Sequence, residues 1–281
     1  MPLFGRPDGD LVRDLPPVRR IMPYIMRGRN ESAVYHKSLY DLGRALEWLE
    51  RYNASHERKA TFFHLFLFAV ARALHERPGL NRFVSGGHVW QRRGVWLSFA
   101  AKKAFADDAP IVTVKVEMPR EQTFTEAVAR ITDAVKGSRG DEKSRVDKEL
   151  ALAFLLPGPM LRWVVSLLQW LDRVNLLPGS VIDGDPMYAS AFAANLGSVG
   201  IGDTYHHLYE YGTIGVFGVL GKIGKKPFVG ADGALVARYG VEACWTFDER
   251  INDGFYCATS LQIAHRVIED PAEHVGAPDV A

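Results

Sequence analysis

Residues 62–74 read Phe-Phe-His-Leu-Phe-Leu-Phe-Ala-Val-Ala-Arg-Ala-Leu. A helix that is apolar at almost every angle has no face to show to water, so it must be enclosed on all sides. Pro78-Gly79 stops it, and the pattern predicts a helix over 61–77 at the centre of a core. The chain is long enough to build that core. It has 281 residues, 47% hydrophobic and 24% charged, the balance of an ordinary globular protein of one large domain or two small ones.

The remaining pattern mixes strands and helices without a regular βαβ rhythm, which predicts one α+β domain. Residues 1–18, rich in Pro and charge, read as an arm. Residues 21–26, 31–40, 88–93, 95–103, 111–118, 187–196, 213–221 and 235–247 alternate like strands. Asp41 is placed to cap a helix running to about Asn53. Residues 123–135 and 254–269 read as helices, and the charged run Gly-Ser-Arg-Gly-Asp-Glu-Lys-Ser-Arg within 136–149 as an exposed loop. Ala231-Asp232-Gly233 suits a hairpin turn.

Residues 150–177 form a second apolar stretch. A membrane-spanning helix needs about 20 uninterrupted apolar residues, and Pro157-Gly158-Pro159 divides this one. In its second half Arg162, Ser166, Gln169 and Arg173 recur at helical spacing, a narrow polar stripe on a wide apolar face. The expectation is a helix buried in its own domain or in a subunit interface. Attachment to a membrane surface or to an acyl chain is the sharper alternative.

Lys plus Arg number 34 against 33 Asp plus Glu, so charge gives no reason to expect nucleic acid as a partner. Cys244 and Cys257 read as buried and reduced, with no metal-ligand spacing. Met1 to Asp14 carries charges where a signal peptide needs an apolar run, and the expected location is cytoplasmic.

Three segments, in order, carry a resemblance. Ala69-Val70-Ala71-Arg72-Ala73-Leu74 leads into Pro78-Gly79-Leu80-Asn81. Asn195-Leu196-Gly197 follows, and then Phe247-Asp248-Glu249-Arg250-Ile251-Asn252-Asp253-Gly254. Together they are similar to the catalytic domain of the dihydrolipoamide acyltransferases of 2-oxoacid dehydrogenase complexes, whose fold is shared with chloramphenicol acetyltransferase. The likeness covers roughly residues 17 to 270. It implies a two-layer α+β sandwich, a mixed β-sheet covered by helices, assembling as a trimer or a shell built from trimers. The active site would lie in a channel between neighbouring subunits, entered by coenzyme A from one end. The division expected is an arm over 1–18, an acyltransferase-like domain over 19–270 with an apolar helical insertion at 150–178, and a tail over 271–281. Asp147-Lys148 has no hairpin around it and does not resemble a lipoylation site.

Two positions depart from the family. Its third motif carries a His that deprotonates the thiol, and Glu249 stands there. Its Asn-Leu-Gly follows a Ser that donates to the oxyanion, and Ala194 stands there. Proton transfer from a thiol of pKa about 8.5 is uphill by about 2 units to a His but about 4 units to an unperturbed Glu. Loss of one oxyanion donor costs about 2.7–4 kcal/mol. Arg250, Asp253 and Gly254 remain, and read as a tight turn held by an Arg–Asp pair. The family likeness therefore predicts a pseudoenzyme that acts by self-assembly, requires no cofactor, and has coenzyme A as its possible ligand by resemblance. The alternative is a coenzyme A-dependent acyltransferase in which His206 or His207, from the loop Thr204-Tyr205-His206-His207, works with Glu249 as a His–carboxylate couple, with Ser198 or Ser190 supplying a hydroxyl.

Overall fold

The computed structural model describes residues 5–102, 111–139 and 154–280. The all-apolar helix is α3 (Phe62–Glu76). It follows α1 (Pro17–Ile25) and α2 (Gly43–Ser55) and precedes α4 (Phe124–Arg139), α5 (Gly158–Arg173), α6 (Gly179–Gly184), α7 (Gly254–Glu269) and α8 (Pro271–His274). The strands are β1 (Gly9–Leu11), β2 (Ala33–Asp41), β3 (Arg82–Ser85), β4 (His88–Arg92), β5 (Trp96–Lys102), β6 (Ile111–Glu117), β7 (Ala191–Asn195), β8 (Val216–Leu220), β9 (Gly224–Val229) and β10 (Leu235–Asp248).

The main sheet runs β2-β10-β8-β7-β5-β6, with β9 added to the far part of β10. It is mixed: β7 lies parallel to β5 and β8, and the other pairs are antiparallel. Alternation along each strand gives the sheet two unlike faces. Ala191, Ala193, Ala243, Trp245 and Phe247 face the helices and share one core with Leu65, Phe66 and Leu67 of α3 and Leu261 and Ala264 of α7. Phe192, Ala194, Phe217, Val219 and Cys244 face the other way and pack with Ala189, just before β7, and with Leu208 and Ile214 of the chain between β7 and β8. A smaller sheet, β1-β4-β3, stands beside the first.

α3 is buried along most of its length, as its composition requires. Thr61 caps it, and the ring of His64 closes a reciprocal capping box: Thr61 N donates to His64 Nδ1 at 3.1 Å. His64 is therefore a capping residue. Asp41 lies just before α2, where its Oδ1 accepts from Gly43 N at 3.0 Å.

Four expectations change. Residues 21–26 are not a strand but the last turns of α1, begun by Pro17 at its first position, where a missing N–H costs nothing; Val18, Ile21 and Ile25 recur at helical spacing. Residues 5–18 do not hang free: β1 pairs with β4, and Arg6 is buried, its guanidinium 2.9 Å from both Asp8 and Asp172 carboxylate oxygens. Gly137-Ser138-Arg139, expected in a loop, continue α4. Finally, α5 is not enclosed by its own domain: Asp172 is its one buried residue, while Trp163 and Trp170 are 66% and 54% exposed. The rest of the charged loop, Asp147-Lys148 and residues 103–110 lie outside the described residues. The tail is docked, with Trp48 Nε1 donating to Gly276 O at 2.8 Å.

Candidate functional site

β10 delivers the third motif to the end of the sheet. Its last residue, Asp248, is buried, and the chain turns sharply to start α7. Arg250 folds back on Asp248 with two parallel bonds, Nε to Oδ1 and Nη2 to Oδ2, each 2.8 Å. Ser32 Oγ donates to the same Oδ1 at 3.0 Å. The Arg–Asp pair that holds the turn is thus Arg250–Asp248. Asp253 serves instead as the N-cap of α7, its Oδ1 accepting from Tyr256 N at 2.8 Å.

This frame fixes the backbone of Glu249 on both sides. Its N–H donates to Ser32 O at 2.9 Å, and its carbonyl accepts from Arg19 Nη2 of α1 at 2.6 Å. The residue continues the helix-facing alternation of Trp245 and Phe247. It lines a cleft of about 120 Å³ together with Val34, His36, Asn252, Cys257 and Leu261, among others. Burial, with help from the Asp253 and Glu249 charges, pushes the Cys257 thiol up to about 12. Such a shift favours the protonated thiol at neutral pH.

Ala194 sits on the opposite face. It pairs with Val219 across β7 and β8, and its methyl group belongs to the cluster with Phe192 and Phe217. Asn195 starts the turn that follows, its Oδ1 accepting from Ser198 N at 3.2 Å. Gly197 is required by close approach: a β-carbon there would stand 2.1 Å from Gly221 O.

The loop histidines lie on the Ala194 face, not the Glu249 face. The His206 ring stacks on Phe217 at 4.1 Å and on His207 at 4.6 Å, and Thr246 Oγ1 donates to His206 O at 2.6 Å. His206 Nδ1 lies 2.7 Å from His207 O and His207 Nδ1 lies 2.9 Å from Leu208 O. A carbonyl can only accept, so both Nδ1 atoms carry protons. Burial lowers the His206 pKa, which favours the neutral ring. Within one chain, then, the structure brings His206 to the side of Ala194 and leaves it away from Glu249.

The hydroxyls are committed elsewhere. Ser190 is buried and its Oγ accepts from Trp96 N at 2.9 Å. Ser198 Oγ donates to Asn195 O at 2.7 Å. The histidine that does share the Glu249 cleft is His36 of β2. Its signal was the period-2 pattern of residues 34–40, but only the register with β10, His36 opposite Trp245, puts it there. Among the described residues no group of three His, Cys, Asp or Glu could hold a metal, and no helix is long and apolar enough to cross a membrane.

The fold is that of the acyltransferases. A probable dihydrolipoamide acetyltransferase from Listeria monocytogenes superposes with a TM-score of 0.63 at 16% identity, covering 97% of this chain and 98% of that one. The cubic core of a pyruvate dehydrogenase multienzyme complex gives 0.58 at 14%, covering 93% of each chain. A chloramphenicol acetyltransferase gives 0.57 at 14%, covering 93% of this chain and 98% of that one. No protein-family model and no curated protein matches the sequence.

Proposed function

We propose that this chain is a stand-alone acyltransferase-fold protein that assembles with copies of itself and does not transfer acyl groups to thiols by a Ser/His mechanism. The observation that carries the reading is the pair Ala194 and Glu249. The frame around both is intact, with Arg250, Asp248, Asp253 and Gly197 in their structural places. By the family resemblance of the motifs, a methyl group takes the place of the oxyanion donor and a carboxylate takes the place of the base. An ionised carboxylate beside a developing thiolate repels it.

Self-assembly is supported by apolar surface next to that site. Val18, Ile21, Tyr24 and Ile25 of α1 are exposed, as are Val34, Tyr35 and Leu39 of the edge strand β2. Arg19, on the same helix α1, is the residue bound to the Glu249 carbonyl. Such surface is costly in water at about 25 cal/mol per Å². The structural relative described as a cubic core is itself a multimer. A trimer is the smallest state that fits, with no cofactor required and coenzyme A as a weak ligand of the channel. The test is double. Mass photometry at micromolar concentration should show a trimer or larger, and the purified protein should not acetylate dihydrolipoamide from acetyl-coenzyme A above background. A stable monomer or robust turnover would overturn the reading.

One observation favours a second reading, a rewired coenzyme A-dependent acyltransferase. Burial favours the neutral form of His206, whose Nδ1 lies against a carbonyl, and the ring shares a face with Ala194. In a channel between subunits it would work with Glu249 of a second copy. Under that reading, H206A or H207A removes activity on a thioester, and H36A tests the histidine in the Glu249 cleft.

A further inference from the structure

α5 is held to the body by one face and leaves the other in solvent. Its inner side carries Leu168 and Leu171, packed against Leu177, Ile182 and Tyr188. Asp172 is buried and paired with Arg6 at 2.9 Å, and Ser85 Oγ donates to the Asp172 carbonyl at 3.0 Å. The helix is therefore fixed in orientation. Its outer side presents Met160, Trp163, Leu167 and Trp170, all exposed, at steps of three, four and three, which is one straight stripe. Phe154 and Leu155, also exposed, come just before the helix.

The charges of this face have one sign. Arg162 and Arg173 are exposed on the flank of the stripe. The one acid of the helix, Asp172, is turned inward and consumed by Arg6. Tryptophan beside arginine on a rigid amphipathic helix matches the boundary between headgroups and acyl chains, where the ring sits among the first methylenes and the guanidinium reaches phosphate. The 16 residues of the helix span roughly 24 Å, a length that lies along a surface. A second copy of α5 fits less well. A parallel pair sets Arg162 against Arg162, and an antiparallel pair about Leu167 sets Arg162 near Arg173, while the one acid of each helix is turned inward to Arg6.

We propose that the outer face of α5, with Phe154 and Leu155, is a docking surface for an anionic lipid bilayer, on which the assembled protein lies peripherally. The proposal does not depend on whether the acyltransferase site is active. Its test is flotation of the full chain with vesicles of phosphatidylcholine alone or mixed with phosphatidylglycerol. The protein should float with the mixed vesicles and weakly or not at all with the neutral ones. W163S/W170S should abolish flotation while mass photometry shows the oligomer unchanged. R162Q/R173Q should weaken it by about fivefold per arginine and remove the preference for anionic lipid. Trp fluorescence should shift to the blue on binding and the shift should be lost in W163S/W170S, because Trp48, Trp90 and Trp245 are buried and Trp96 is half-buried away from α5 on β5. Three outcomes would overturn the proposal: no flotation with anionic vesicles, flotation untouched by W163S/W170S, or dissociation of the oligomer by that double change, which would give the face to a second copy.

Discussion

At the residue scale, the Arg250–Asp248 pair is the most constrained feature. Both side chains are buried and bonded bidentately. Removing one partner leaves the other charged and desolvated, at a cost of about 3–5 kcal/mol. R250A should therefore lower the denaturation midpoint sharply, and R250M, which leaves the same carboxylate unpaired, should not rescue it. His64 supplies a pH dependence. Burial lowers its pKa to about 4 in the folded chain, against about 6.5 when unfolded. Between these values the unfolded chain binds the extra proton, so stability is lost as pH falls from about 6.5 to 4. The loss should be about 1–3 kcal/mol after allowing for partial exposure, and H64Q should flatten that slope in acid unfolding curves. The sequence showed Glu249, Ala194 and the survival of the motif directly. It did not show that Arg250 pairs with Asp248 instead of Asp253, because two acids flank the arginine at short range and only the backbone turn decides between them.

At the element scale, strongly periodic segments were legible and ambiguous short ones were not. Residues 254–269 and the buried α3 follow from their patterns to within a residue or two. Residues 21–26 misled because a short apolar run with one proline fits strand or helix, and Pro17 at the start of the helix decided it. The strand β9 escaped notice because Gly-Lys-Lys-Pro-Phe-Val has little apolar alternation; its pairing with β10 is imposed by the turn at Gly233, where φ is +80°. α5 shows what periodicity cannot decide: a helix apolar on two sides has two candidate partners, and the sequence does not say which side the fold takes. The two sides differ measurably. L171A should cost about 1–2 kcal/mol, less than a fully buried leucine, while W163S/W170S should leave thermal stability of the assembly nearly unchanged. Equal losses from both would contradict the two-faced description.

At the scale of the molecule, the order of motifs was enough to assign the acyltransferase fold, since each motif marks a different wall of one architecture: the central helix, the parallel crossover at β7, and the turn into α7. The site was legible only in part. Ala194 and Glu249 lie on opposite faces of the sheet in one chain, and under the proposed assembly their chemistry would depend on how copies meet, which no single sequence displays. The loop histidines were identified as residues but not as members of the Ala194 face. The central claim is that a sound scaffold has lost its base and its oxyanion donor together. The most direct measurement is acetyl transfer from acetyl-coenzyme A to dihydrolipoamide by four proteins: the natural chain, A194S, E249H and A194S/E249H. Background rates are expected for the first three and measurable turnover for the double variant, because base and donor act as a unit. Robust turnover by the natural chain, or a folded and assembled double variant that remains inert, would contradict it.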